Sequence, residues 1–275
     1  MQKKYRVYSR GKQEISVSFN GKQLSSDGSM VLLEKIERKE KLIKLFSSAI
    51  SDKRNPRYIK HTISKMLKQR VYTMIHGYED ANDEKQLRKD PVIHAIVDSE
   101  LASQPTISRM ESQMDRKQIY KLSETFLNRY IESLKNRKEI VIDVDATDDP
   151  THGKQQLSLF NGFYYQFMYS ELLFFDGETQ QIILPVLRPG NSHSNKWHVS
   201  ILKRIVEKIQ SKYSNIKITI RADSGFSQPE FYEFARDKKL CYCIGIARNQ
   251  RLSCKTTRAE KAVRYLFAAF SIGER

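Results

Sequence analysis

The chain has 275 residues, of which 39% are hydrophobic and 29% charged, and its 48 Lys and Arg outnumber 32 Asp and Glu for a formal charge of +16. That length allows two domains, each with its own core, and excludes neither enzyme nor binding module. The composition does exclude a disordered chain and a membrane protein, because no stretch approaches the roughly 18 to 20 apolar residues of a span.

The basic start, Met1-Gln2-Lys3-Lys4-Tyr5-Arg6, is followed by no apolar run of signal-peptide length, so a cytoplasmic protein is expected. A positive surplus of this size attracts polyanions and speeds encounter with them. Nucleic acid is therefore the favoured partner, with ribosome binding, a membrane surface and simple solubility as competing explanations. A membrane surface fits least, since no terminal segment combines a basic face with a strongly apolar one.

Residues 14–33 alternate in short apolar stretches around Asn20-Gly21 and Asp27-Gly28, which predicts one or two small hairpins. From residue 34 to about 137 the periodicity is helical. Ile59, Ile63, Met66, Leu67, Met74 and Ile75 form one stripe, with Gly77 as a stop. Ile119, Leu122, Phe126, Leu127, Tyr130, Ile131 and Leu134 form another. Lys60, Lys65, Lys68 and Arg70 crowd the outer faces, either as a solvated basic surface or as DNA contacts. The expected organisation is a mostly helical, DNA-binding region over residues 1–137 and a strand-rich core over 138–275.

Past Lys138 the pattern turns to strands at 139–145, 163–175 and 180–187, the last two joined near Asp176-Gly177. A helix over 197–213 follows, then a strand (216–222), a helix (229–238) and a strand (240–247). This last set is a β-α-β unit, which makes the fold class α/β. Cys241 and Cys243 alternate within the final apolar run, and with Cys254 they suit neither a disulfide framework nor a C-x-x-C zinc site. Buried, reduced thiols are expected there.

The segment Ile140-Val-Ile-Asp-Val-Asp-Ala-Thr-Asp-Asp-Pro150 carries the chemistry. Strand alternation puts Ile140, Ile142 and Val144 on one face and Val141, Asp143 and Asp145 on the other. Carboxylates closing a buried strand carry a heavy desolvation cost unless something cationic sits there. Asp148 and Asp149, before Pro150, fit turn formation better. A second strand, with Ile216, Ile218 and Ile220 on one face, ends in Arg221-Ala-Asp223-Ser-Gly225. Gly225 permits a tight exit, and Ser227 and Pro229 suit a helix cap and first turn.

Ligands of open α/β sheets gather outside the carboxyl ends of strands. Asp145 and Asp223 would share such an edge if their strands are neighbours. Clustered carboxylates are hard ligands suited to Mg²⁺ or Mn²⁺, and paired ions of this kind serve phosphodiester displacement.

Several motifs carry a resemblance: Asp143-Val-Asp-Ala-Thr-Asp-Asp-Pro-Thr-His-Gly153, Phe160-Asn-Gly-Phe-Tyr164, Leu187-Arg-Pro-Gly-Asn191 and Arg221-Ala-Asp-Ser-Gly-Phe226. So do Gly77-Tyr-Glu-Asp-Ala-Asn-Asp83, Leu87-Arg-Lys-Asp-Pro91 and Leu101-Ala-Ser-Gln-Pro105 upstream. Together the chain resembles group 1 of the DDE transposases, the insertion-sequence family "IS thirteen-eighty".

The resemblance implies an incomplete ribonuclease H-like core with a mixed sheet, cutting and rejoining DNA at element ends. It implies Asp145 and Asp223 as catalytic metal ligands, with Asp143 as a lesser ligand or a carboxylate behind them, and Mg²⁺ or Mn²⁺ as cofactor. Arg188 and Arg221 are expected to neutralise phosphate, or else to pair at the surface, and Lys60 and Lys68 to touch DNA. Double-stranded DNA, as element ends and target, is the expected partner of a nucleoid-associated homodimer.

The family's third acid lies on a helix well downstream of the second. Here Glu230 and Glu233 sit on the next helix, and Glu260 and Glu274 stand in no recognisable signature. The reading at this stage is a truncated copy with impaired catalysis, or alternatively a non-catalytic DNA-binding module or regulator derived from a transposase.

Overall fold

The computed structural model describes residues 5–10, 13–17, 25–97, 100–153, 155–247, 249–250 and positions 253, 256, 257, 261 and 263. It divides into two compact units, Met1–Thr125 and Phe126–Arg275. The division falls within a helix rather than after residue 137, because the residues that end that helix pack with the second unit.

In the first unit, β1 (Tyr5–Arg10) pairs antiparallel with β2 (Gln13–Val17). This hairpin lies earlier than the alternation at 14–33 predicts. Asn20-Gly21 falls outside the described residues, and Asp27-Gly28 opens a helix instead, since the amides of Met30 and Val31 bond to the carbonyls of Asp27 and Gly28.

The helices follow as α1 (Met30–Glu40), α2 (Leu42–Ala49), α3 (Ile63–Ile75), α4 (Glu84–Leu87), α5 (Pro91–Val97) and α6 (Gln104–Ser112). Thr62 caps α3 by accepting from the Lys65 amide, and Gly77 follows at φ 85°, a left-handed position that glycine takes without steric cost.

The buried stripe of α3 differs from the expected one. Met66, Gln69, Tyr72 and Thr73 face inward, while Met74 and Ile75 are 50% and 59% exposed. Gln69 holds an inward position because its amide is fully used, donating to Glu84 and to the Ala102 carbonyl and accepting from the Ala102 amide. A buried polar group satisfied this way can replace an apolar one.

Helix α7 (Arg116–Ser133) delivers Leu127, Tyr130, Ile131 and Leu134 to the core of the second unit, while Ile119 is exposed. That core packs against a six-stranded mixed sheet of β3 (Glu139–Pro150), β4 (Leu159–Asn161), β5 (Gln166–Asp176), β6 (Ile182–Pro189), β7 (Lys217–Ala222) and β8 (Cys241–Ile244). The order is β4-β5-β3-β7-β8, with β6 also on β5. Strands β3 to β6 pair antiparallel, and β3, β7 and β8 run parallel.

Ile140, Ile142 and Val144 of β3, Leu172 and Phe174 of β5, and Ile218 and Ile220 of β7 all turn one way. They meet Leu202, Ile205, Val206 and Ile209 of α8 (His198–Lys212) and Phe231, Phe234 and Ala235 of α9 (Pro229–Asp237). Burial of one face in this manner fixes the register, because a one-residue slip would expose every one of these side chains.

Two expectations change here. Strand β3 does not stop at Asp145, because β5 supplies ladder partners as far as Pro150, so Asp148 and Asp149 are strand residues and not turn formers. Cys241 and Cys243 are exposed rather than buried, since β8 is an edge strand with a neighbour on one side only. Cys254 lies outside the described residues.

Gly190, just past β6, is fixed by close approach. A Cβ there would stand 1.9 Å from the Met168 carbonyl oxygen and 2.4 Å from that of Leu159, both backbone atoms. Gly190→Ala is therefore expected to lower the urea midpoint by the equivalent of about 1–3 kcal/mol, the usual cost of overpacking. An unchanged midpoint would show that the approach is looser than this.

Candidate active site

Asp145 lies within β3, and Asp223 directly follows β7, the strand beside it. In the parallel pairing Asp143 stands opposite Arg221 and Val144 opposite Ala222. Asp145, still within β3, and Asp223, just past the end of β7, are the next residue on each side of this last pair, so a separation of roughly 5 Å, that of neighbouring strands, is expected of them. Both are exposed, and Asp145 lies on the face of β3 opposite Ile142 and Val144.

Each carboxylate is oriented by backbone. Asp145 Oδ1 accepts from the Ala146 amide at 2.8 Å, and Asp223 Oδ1 accepts from the Gly225 amide at 2.7 Å. Asp223 thereby caps the short 3-10 turn Ser224–Phe226, at extended φ and ψ. Neither aspartate is in an ion pair among the described residues, so the second oxygen of each stays open to a cation. Gly245, after β8, packs on this turn, where a Cβ would stand 2.9 Å from the Ser224 amide nitrogen. Gln228, not Ser227, is the N-cap residue of α9; the Ser227 hydroxyl bonds the Tyr232 hydroxyl instead.

The other predicted site residues are engaged elsewhere. Asp143 accepts from Arg221 Nε at 2.6 Å and Nη2 at 2.5 Å, a bidentate pair across β3 and β7 that raises the Arg221 pKa. Asp143 and Arg221 are thus engaged with each other.

Arg188 is 1% exposed and bonds backbone carbonyls and the Ser170 hydroxyl. Burial excludes it from a phosphate contact at the surface. Lys68 lies inward, in an ion pair with Glu34 and donating to the Ile96 carbonyl at 3.1 Å. Lys60 remains at the surface, 2.5 Å from Glu100. It lines a cavity of about 340 Å³ in the first unit together with Arg54, His61, Arg88, Ser103 and Thr106.

A second acidic pair went unnoticed in the sequence. Glu171 on β5 stands opposite Thr147, two residues beyond Asp145 on the same face. Burial raises its pKa, and the charge of Asp149 raises it further. The signal available was the carboxylate directly before the apolar run Leu172-Leu-Phe-Phe175, but its neighbour Asp149 could be known only from pairing. Among the described residues no group of three His, Cys, Asp or Glu side chains is arranged to hold a metal. Glu230 and Glu233 lie on α9, and Glu260 and Glu274 are outside the described residues.

An exposed carboxylate within β3 and another just past its parallel neighbour β7 are the feature that a family relationship can interpret. The model of the family described as "Transposase DDE domain group 1" matches residues 8–269. The chain belongs to this family. No curated protein matches the chain.

Among solved structures, this group 1 DDE chain is similar to the piggyBac transposase in a synaptic complex with hairpin DNA. The identity is 12%, covering 80% of this chain and 52% of that one, with a TM-score of 0.43. It is also similar to the Mos1 transposase in a paired-end complex with the left transposon end, at 11% identity, 92% and 87% coverage and a TM-score of 0.28. A Mos1 mariner paired-end complex with Mn matches at 10% identity, 90% and 91% coverage and a TM-score of 0.27. The chain spans about half the length of the piggyBac transposase chain. Among the described residues no helix is long and apolar enough to cross a membrane.

Proposed function

We propose that this chain acts on double-stranded DNA in metal-dependent cleavage and strand transfer at insertion-sequence ends, as a member of the "IS thirteen-eighty" branch with a ribonuclease H-like core. The observation that supports this most is the side-by-side placement of Asp145 and Asp223. Two exposed carboxylates with an oxygen free on each fit Mg²⁺ or Mn²⁺, which binds through one or two carboxylates and completes its shell with water and substrate phosphate. When bound, such an ion supplies Lewis-acid stabilisation of the charge that develops on the phosphodiester.

The chain's own part is orientation. The Ala146 and Gly225 amides aim the two carboxylates, and the Arg221–Asp143 pair beneath them carries no net charge into the site. The surplus of cations provides the sequence-independent attraction to DNA. In the first unit the cavity beside Lys60 is also lined by Arg54, His61, Arg88 and Glu100; Arg54 is held by Asp52 and Lys60 by Glu100, so Arg88 is the lining cation proposed to meet a backbone phosphate. The helical first unit is thus the proposed DNA-binding region, the second the catalytic core, and a homodimer on DNA the proposed assembly.

Incubating the full chain with end-containing DNA and Mg²⁺ or Mn²⁺, and scoring binding, nicking and strand transfer, tests this reading. Binding should weaken steeply with salt, log K falling by about 0.9 per phosphate neutralised for each tenfold rise in salt, and nicking should require the metal. Binding without nicking, unaffected by Asp145→Ala, would instead identify a non-catalytic DNA-binding module.

A further inference from the structure

Arg188 is the largest fully buried side chain in the described structure. Burying a guanidinium costs several kcal/mol unless its donors are satisfied, and this one is satisfied without a carboxylate. On one side Nε and Nη2 reach the Ser170 carbonyl at 3.3 Å, the Ser170 hydroxyl at 2.9 Å and the Glu171 carbonyl at 3.4 Å, all on β5. On the other side Nη1 reaches the carbonyls of His193 at 3.2 Å, Ser194 at 2.9 Å and Lys196 at 2.9 Å. The planar fork therefore staples loop 190–197 to the strand beside β3. A lysine, with its single point charge, cannot span both sets of carbonyls.

The stapled loop borders the candidate site. Ser194 Oγ and Asp223 Oδ1 lie 2.9 and 3.0 Å from the point that a Cβ on Gly225 would occupy. The loop ends at Trp197, held at φ 67° and 47% exposed, with the Lys196 ammonium 4.8 Å from its ring centre. A left-handed tryptophan is strained and persists only where its surroundings dictate it.

We infer that Arg188 is a positioning residue: it holds loop 190–197 as a wall against Asp223, so that the pose of the loop sets how well Asp145 and Asp223 take a divalent ion. This rests on the metal-site reading above and adds a residue that touches neither metal nor DNA.

Trp197 is the sole tryptophan of the chain and so reports the loop directly. The experiment titrates Mn²⁺ alone into the full chain, following free Mn²⁺ by electron paramagnetic resonance. Quenching of Trp197 by acrylamide and the circular-dichroism melt are read on the same samples. Arg188→Lys and Arg188→Met should weaken Mn²⁺ binding about ten-fold or more, in the range for groups that orient ligands from behind, and should raise Trp197 quenching.

Gly225→Ala, whose Cβ would press on Ser194 Oγ as well as on Asp223 Oδ1, should weaken Mn²⁺ binding comparably and also raise Trp197 quenching, a readout that a push on Asp223 alone would not move. It keeps the inference testable if the Arg188 variants do not fold. Asp223→Asn should lose Mn²⁺ yet quench as the wild type does, so a wild type that binds no Mn²⁺, or Asp223→Asn that binds it fully, overturns the metal reading and this inference with it. If Asp223→Asn loses the ion while the folded loop variants keep wild-type affinity or wild-type quenching, the inference alone is overturned.

Discussion

Asp145→Asn and Asp223→Asn are each expected to slow metal-dependent nicking of end-containing DNA by at least about a hundred-fold, the upper range already reached when partners behind a metal ligand are removed. Asparagine keeps the shape and the accepting oxygen that holds the Ala146 or Gly225 amide, so only the charge and the second oxygen are changed. The melting temperature should stay close to that of the wild type.

The double variant should be no slower than either single one, because groups that act as a unit are strongly non-additive. Asp143→Asn is the contrasting control. It breaks a pair whose arginine is exposed, worth at most about 1 kcal/mol, and should leave most of the nicking rate. Single-turnover nicking at saturating Mn²⁺ separates these outcomes, and equal loss in Asp143→Asn would mean that the wrong acids have been paired.

Asp176→Ala should destabilise the second unit by about 3–5 kcal/mol, the cost of breaking a buried ion pair from one side. The Asp176 carboxylate is fully buried at the end of β5. It accepts from the Tyr130 hydroxyl at 2.6 Å, from Arg137 at 2.5 Å and from the amides of Glu178 and Thr179 at 3.0 and 2.9 Å. Removing it strands a buried phenol and a mostly buried guanidinium, and the melt should fall by roughly 10 °C for a chain of this size.

Burial alone would raise the Asp176 pKa, but the hydrogen bonds from Tyr130, the two amides and Arg137 outweigh it, and the net direction is down. The unfolded value is about 3.9. The stabilisation is therefore complete above about pH 5 and is lost as pH falls through the lower folded value. Urea unfolding of wild type and Asp176→Asn should show a stability gap at pH 7 that narrows below pH 4. A gap independent of pH would mean that Asp176 does not titrate as this network requires.

The parts of the fold legible in sequence are those whose signal is local. Alternation in Ile140, Ile142 and Val144 marked β3 and its buried face, and the spacing of Leu202, Ile205, Val206 and Ile209 marked α8. What escaped depended on partners distant in the chain. Nothing local shows that β5 carries β3 on to Pro150, that β8 is an edge and leaves Cys241 and Cys243 exposed, or that Gln69 displaces an apolar residue from the inward face of α3.

The candidate site divides the same way. Asp145 and Asp223 were conspicuous because each follows a stretch of alternating apolar residues. Their adjacency is a matter of register, which only the pairing of β3 with β7 supplies. Arginines and lysines were the least legible, because composition makes them surface residues until a particular set of acceptors draws them in. Arg188 found six such contacts among carbonyls and one hydroxyl, Arg221 found Asp143, and Lys68 found Glu34.

Mn²⁺ soaked into crystals of the full chain, and located by its anomalous scattering, tests directly whether these strands share an ion. The peak should lie between the carboxylates of Asp145 and Asp223 and disappear in Asp145→Asn. Mn²⁺ bound in ordered fashion at other side chains, with both of these aspartates left free, would contradict it.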